Sequence, residues 1–241
     1  MALRQPLDDD ADIARFLRGP EHPCAYLPGQ HARNLYCLPG RQNPAQQHTV
    51  LSAAGFRRSG DLHYRPDCPH CTACQPTRIT VDAFCPSRSQ RRTWQYNNDL
   101  SISPVTPEFR REHYALYRRY ISRRHGGGVM DEDSPQQHRA FILGGQARTR
   151  LWEFRLDQQL LAVAVVDELL DGLSAMYTFY EPELPRRGLG TYAILCQIET
   201  ARRRGLKWLY LGFWIRNHPA MDYKRRFRPI QVRTAEGWQN L

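Results

Sequence analysis

Three cysteines at two-residue intervals, Cys68-Pro-His-Cys71-Thr-Ala-Cys74, are the residues of this sequence that point most directly to chemistry. Such spacing lets successive sulfurs turn back toward one point, as zinc and iron–sulfur sites require. Cys24, in His22-Pro-Cys24-Ala-Tyr-Leu-Pro28-Gly29, offers a fourth thiol, with His70 or Cys85 as substitutes. The same residues also read as a tight turn of reduced thiols packed as small hydrophobes, and both readings stay open at this stage. The arginines that follow, Arg78, Arg88, Arg91 and Arg92, have almost no acid among them. Their planar guanidiniums bind carboxylate or phosphate in a bidentate way. Arg88 and Arg92 share one helical face, so this group is a candidate reader of an acidic ligand. The plainer reading is a solvated helix face.

Two further places carry candidate chemistry. Arg186-Arg187-Gly188-Leu189-Gly190 leads into a helix, and backbone amides at such a turn offer a seat for phosphate. Tyr223, Lys224 and Arg226 follow a strand expected at 208–214 and are candidates for work in a cleft beside it, against the alternative of an ordinary basic loop. Arg124 and His125 close a helix, where a cation is favoured by the helix dipole alone; His125 is a weaker candidate base. No Ser-His-Asp or Cys-His pattern argues for a dedicated nucleophile.

The chain has 241 residues, 41% of them hydrophobic, enough for one large domain or two small ones. Lys and Arg number 34 against 24 Asp and Glu, a formal charge of +10, which favours a polyanionic partner, nucleic acid being the usual one. The N-terminus runs from Met1 into Asp8-Asp-Asp without an apolar segment, and no stretch approaches a membrane span. With seven cysteines and no leader, the expected compartment is reducing cytosol, where close-spaced cysteines are ligands or free thiols.

The elements that must position these residues follow from periodicity and punctuation. A short amphipathic helix is expected around Ile13, Phe16 and Leu17, a helix over 44–54 stopped by Gly55, strands over 34–38, 56–64 and 78–84, and a helix capped by Ser87. Residues 101–107, with Pro104 and Pro107, read as a linker. Beyond them come a helix opened by Thr106 and Pro107, a short helix from Ser134 to Gly144, and a meander at 151–156, 159–168 and 174–180. A helix over 191–204 and strands at 208–214 and 230–234 complete the chain. The class is α/β (α+β), divided into a Cys-containing N-terminal domain, residues 1–100, and a second domain, 101–241.

The order of the second half resembles the acyltransferase fold called GNAT, in which the Gly-x-Gly turn holds the pyrophosphate of acyl-CoA. The usual turn begins with Gln or Arg three residues before its first glycine, where this sequence has Pro185. Taken together, Cys24-Ala-Tyr-Leu-Pro-Gly29, Gly55-Phe-Arg57-Arg58-Ser-Gly60, Tyr64-Arg-Pro66, the cysteines, Arg78-Ile79, Pro86-Ser-Arg88-Ser-Gln-Arg91-Arg92, Arg124-His125-Gly-Gly-Gly128, Gly188-Leu-Gly190-Thr-Tyr192 and Tyr223-Lys224 with Phe227-Arg-Pro229 resemble the aminoacyl-tRNA–protein transferases. Within them the match is to the bacterial aspartate/glutamate leucyltransferase branch, over nearly the whole chain.

That resemblance implies a GNAT-like C-terminal half, leucyl-tRNA as donor, and proteins or peptides with N-terminal Asp or Glu as acceptors marked for N-degron proteolysis. Read from their own chemistry, Arg78, Arg88, Arg91, Arg92 and Arg226 are the candidates to bind substrate, and Arg187, Gly188, Gly190 and Lys224 the candidates to bind the tRNA acceptor end. Tyr223, Lys224 and His125 are the catalytic candidates. No cofactor is needed for transfer; zinc or an iron–sulfur cluster on Cys24, Cys68, Cys71 and Cys74 is the open structural question. The rivals are arginyl transfer by the same chemistry, an acyl-CoA-dependent GNAT enzyme, and a non-catalytic Cys-knuckle RNA-binding module. No membrane partner is expected, and oligomeric state is not legible.

Overall fold

The computed structural model describes residues 16–38, 43–125, 134–144 and 148–241, excluding the side chains of 124 and 125. In chain order the elements are β1 (Phe16–Arg18), β2 (His22–Pro23), β3 (His31–Ala32), β4 (Asn34–Cys37), α1 (Pro44–Ala53), β5 (Arg57–Ser59), β6 (Leu62–Pro66), β7 (Gln75–Thr80), α2 (Arg88–Tyr96), β8 (Ser101–Val105), α3 (Arg111–His125), α4 (Pro135–His138), β9 (Arg148–Leu156), β10 (Gln159–Glu168), β11 (Gly172–Tyr180), α5 (Leu189–Arg203), β12 (Trp208–Trp214), β13 (Ile230–Thr234) and β14 (Gly237–Asn240). They form a four-stranded sheet, β1-β4-β6-β5, a two-stranded ribbon of β2 and β3, and an eight-stranded sheet, β14-β13-β7-β12-β11-β10-β9-β8.

The core of the large sheet explains its own sequence. Leu160 to Val166 are buried without a break, because alternate residues of a strand serve opposite faces. Ala162, Ala164 and Val166 pack under α5, with Leu189, Tyr192 and Ile198. Val163 and Val165 face the other way, against Leu116, Tyr117 and Ile121 of α3. Covered on both faces, β10 reads as one apolar run.

Strand β7 comes from residues before position 101, yet it lies between β13 and β12, antiparallel to both. A second tie is buried. Arg58 of β5 donates to Asp167 of β10 through Nε (2.8 Å) and Nη2 (2.9 Å), and to the carbonyls of Gly60 and Gly144 at 3.0 and 2.7 Å. Thr149 donates to the same carboxylate at 2.6 Å. Burial alone would push the Asp167 carboxyl up; the Arg58 guanidinium, with His48 and Thr149, more than offsets that and holds it below the usual range.

Several local expectations are corrected. Phe16 to Arg18 form a strand paired with β4, not helix; Ile13 lies outside the described residues. The strand expected over 56–64 is two strands, β5 and β6, folded about Gly60 (φ +57°). There a Cβ would sit 2.8 Å from the Ala140 carbonyl. The strand expected at 78–84 begins at Gln75, directly after Cys74, and stops at Thr80. Residues 101–105 are not linker but the edge strand β8, paired with β9; an edge tolerates Pro104 because one side of the strand needs no donor. Helix α3 starts at Arg111, not Pro107. The helix expected from Ser134 is the short α4 followed by a π-turn at Arg139–Leu143. Among the described residues no helix is long and apolar enough to cross a membrane.

Candidate functional site

Strands β11 and β12 are parallel, joined by the crossover through α5, and pair only at Gly172–Trp208, Leu173–Leu209 and Ser174–Tyr210. From there they part. Strand β12 continues beside β7, through Gly212–Thr77 to Trp214–Gln75, while β11 stays paired with β10 to Tyr180 and loses its partner only on the β12 side. Arg57, reaching in from β5, fills the split: its Nη2 donates to the carbonyl of Ala175 at 3.1 Å and to that of Met176. It passes over Gly212 (φ +73°), where any Cβ would collide with Nη1. Glycine is therefore required on both backbone and steric grounds.

Lys224 sits in the one-turn 3₁₀ helix Asp222–Arg226 that follows β12. Its ammonium is buried and donates to the carbonyl of Phe213 on β12. Burial, and then the nearby charge of Arg57, pull this amine down to about 7. Among the described residues no carboxylate pairs with either cation. The neighbours are Tyr26 and Tyr64, whose hydroxyls burial pushes up against the opposing pull of Arg57. Tyr64 also packs on Phe213, ring centroids 5.7 Å apart. The split strands thus hold two cations, one of them able to lose its proton near neutral pH, and no resident acid. Such a place can take an anion and can accept a proton.

At the start of the crossover, just after β11, Gly188 adopts φ +58° and caps α5 without any side-chain bond. The first amides of α5 have no partner within the helix, as at every helix start. Thr93 of α2 abuts Gly188, 3.4 Å from where its Cβ would stand, and Asn97 of α2 donates to the Arg187 carbonyl at 2.7 Å. Arg187 is committed: it grips Asp99 through two bonds of 2.9 Å.

The sequence candidates fall into three groups. Lys224 lies in the split, with Tyr223 exposed beside it, its ring 6.0 Å from the ammonium. Arg88, Arg91 and Arg92 are exposed on α2, next to the Gly188 turn, and Gln90 of that helix donates to the Arg226 carbonyl at 3.1 Å. Helix α2, the Gly188–Gly190 turn and Arg226 are therefore neighbours. Arg78 is apart from both groups, sandwiched between Trp208 (3.5 Å) and Trp238 (4.2 Å) and bonded to Gln231. The side chain of His125 lies outside the described residues.

The cysteines show more of the packed-thiol reading than of the metal centre that their spacing left open. Among the described residues no group of three His, Cys, Asp or Glu side chains is placed to hold a metal. Cys74 packs with Leu27 and Ala73 against Trp214, Ile215, Met221 and Val232. Burial first, and then the neighbouring Cys24, Cys68 and Cys71, push its thiol up to about 11. Cys24 accepts from the Leu27 amide (3.4 Å) and Cys68 donates to the Arg33 carbonyl (3.8 Å).

Arg57 was missed as a functional residue. Its signal was present in Arg57-Arg58: adjacent residues on a strand face opposite ways, so two consecutive arginines in a short strand cannot share one solvated face.

Comparison with known proteins follows the same outline. A model for the N terminus of arginine-tRNA-protein transferases matches residues 22–92, and one for their C terminus matches 112–234. The chain is 48% identical over 227 residues to the aspartate/glutamate leucyltransferase of Nitrosococcus oceani, covering 94% of this chain and 95% of that protein. It is 47% identical over 224 residues to that of Pseudomonas fluorescens, covering 93% and 95%. Among solved structures, FemX superimposes with a TM-score of 0.51 at 8% identity, covering 90% of this chain and 85% of that one. L-PGS from Bacillus licheniformis gives 0.51 at 11%, covering 69% and 58%. At such identities the likeness is one of fold, and the fold is that of the GNAT-like acyltransferases.

Proposed function

Because the chain belongs to the arginine-tRNA-protein transferase family, we infer that it moves leucine from leucyl-tRNA to the α-amine of proteins that begin with Asp or Glu. The added leucine is an N-degron mark. The reaction is aminolysis of an ester: the neutral amine attacks the leucyl carbonyl carbon, a C–N bond forms, and the C–O bond to the ribose breaks. One amine proton is given up and one proton reaches the departing ribose oxygen. An ester is already activated, so positioning and stabilisation of the developing oxyanion carry the rate, and no cofactor enters. Aminoacyl-tRNA resides in the cytosol, which is where we place the protein.

The observation that carries this mechanism is the acid-free pair of cations, Arg57 and Lys224, where β11 and β12 part. In this reading Lys224, unprotonated in a large share of molecules near neutral pH, accepts the proton from the attacking amine, and Tyr223 lies at the mouth. Arg57 meets the acceptor's side-chain carboxylate. The amides at Gly188 and Gly190 hold a phosphate of the acceptor end, the turn being fixed by Arg187 on Asp99. Arg88, Arg91, Arg92 and Arg226 line the approach of the polyanion, and Arg78 supports the sheet. The test is direct: incubate the protein with Asp-, Glu- and Ala-initiated peptides and leucyl- or arginyl-tRNA, and read the masses. Leucine on the Asp and Glu peptides alone is expected. Arginine addition would move the chain to the arginyl branch, and no addition at all would overturn transfer.

A further inference from the structure

A cavity of about 300 Å³ opens between α2 and α5, walled by Phe84, Trp94, Leu195 and Ile198, with Arg91 and Gln95 among the residues that line it. Its lower wall is solid core: Phe84, Leu195 and Ile198 are each buried. Trp94 is 37% exposed and packs edge-on against Tyr192, 5.5 Å between centroids. An indole left this open over an apolar slot is a stacking surface for a flat, apolar-faced ligand.

The charge around the slot narrows the ligand. Arg202, also on its lining, is spent: it bonds the carbonyls of Val81 and Phe84 and the carboxylate of Glu199. Arg91 makes a bond of 2.6 Å to the neutral Pro86 carbonyl. Among the described residues no carboxylate pairs with Arg88, Arg91 or Arg92, all exposed on the helix that roofs the slot. A flat apolar pocket with unneutralised guanidiniums above it suits a base with its phosphate, not an aliphatic side chain.

Position narrows it further. Thr93 touches the Gly188 turn while Trp94, the next residue of α2, lines the slot. Along α5, Leu195 and Ile198 lie roughly 10–15 Å from Gly188 at the helical rise of ~1.5 Å per residue. The slot is thus offset along α5 from the open amides, yet close enough to them for one single-stranded nucleic-acid tail to touch both, and Gln90 on its lining bonds the Arg226 carbonyl at 3.1 Å.

We propose that this α2–α5 cavity receives a base of the single-stranded 3′ end of the tRNA donor, stacked on Trp94, with Arg88, Arg91 and Arg92 on the flanking phosphates. The proposal rests on the aminoacyl-tRNA reading above and adds a second grip on the donor, distinct from the split between β11 and β12.

The experiment measures binding of deacylated tRNA with its 3′ end intact and of the same tRNA with its last three nucleotides removed. Wild-type protein should prefer the intact tRNA by on the order of tenfold, the scale of one base–aromatic stack. Trp94→Ala and the slot-filling Gln95→Trp should cut that preference severalfold, leaving only the part carried by the Gly188 turn, and Trp94→Phe should restore most of it. In transfer assays the first two variants should raise KM for leucyl-tRNA more than KM for the peptide. If Trp94→Ala fails to fold, as judged by thermal melting, Gln95→Trp decides alone. Equal binding of intact and trimmed tRNA by wild type, or an undiminished preference in Gln95→Trp, would refute the proposal. The two readings separate cleanly. Wild type that transfers no leucine but prefers intact tRNA keeps the slot and loses the transferase, whereas active enzyme whose Gln95→Trp variant keeps the full preference for intact tRNA does the reverse.

Discussion

Arg57 and Arg58 are neighbours on β5 and do opposite things. Arg58 turns to the buried side, meets Asp167 with two bonds, and has both its charge and its geometry satisfied. Arg57 turns to the split sheet, bonds two backbone carbonyls, and shares its space with a second cation, Lys224, rather than with an acid. The pair around Arg58 ties two sheets together. The pair around Arg57 leaves like charges facing one another, an arrangement that gains when an anion arrives. One strand thus carries a finished electrostatic site and an unfinished one, and only the unfinished one has capacity for substrate.

The sharpest way to break this comparison is at Asp167. Asp167→Ala leaves Arg58 buried without its counter-ion, and chemical denaturation should show a loss of about 3–5 kcal/mol. Arg57→Met should leave stability close to wild type; equal losses from the two variants would erase the distinction. Next comes Lys224. Lys224→Met should fold normally and lower kcat by roughly 10²–10⁴-fold, the range for removing a general base. The working form is the unprotonated amine, so activity is lost as pH falls through about 7. The informative quantity is the rate ratio of wild type to variant, in which the titration of the peptide amine cancels. A ratio flat from pH 6 to 8 would remove Lys224 from proton transfer. The smallest effect is expected from Arg57→Lys, which keeps the charge and loses the fork. Here kcat/KM for an Asp-initiated peptide should drop about tenfold, with the preference for Asp over Asn narrowing.

Local order was legible where one force dominated. The limits of β10 follow from an uninterrupted apolar run closed by turns, and the start of α2 from Ser87, whose capping box with Gln90 is present in full. Expectation failed where tertiary contact overrode local pattern. Two prolines made 101–107 look like linker, although an edge strand accommodates Pro104 and Pro107 lies beyond it. The cysteine spacing spoke for a ligand set, but nothing in it revealed that Cys74 would face Trp214 and Met221. The charged residues of the site divided likewise. Lys224 could be singled out as one of two lysines beside a strand end, whereas Arg57 acquires its setting from Ala175, Met176 and Gly212, more than a hundred residues away. Arg78, a candidate to bind substrate, lies between Trp208 and Trp238, a setting its local sequence does not reveal.

The place of β7 in the large sheet imposes a timetable on synthesis. Residues 75–80 leave the ribosome early, but their two partners are β12, ending at Trp214, and β13, ending at Thr234. Until those last segments emerge, β7 has neither neighbour and the meander β8–β11 stands with an unfinished edge. Open edges of that kind invite pairing with other chains. The nascent chain therefore completes the split between β11 and β12 only once residues through β13 have been made.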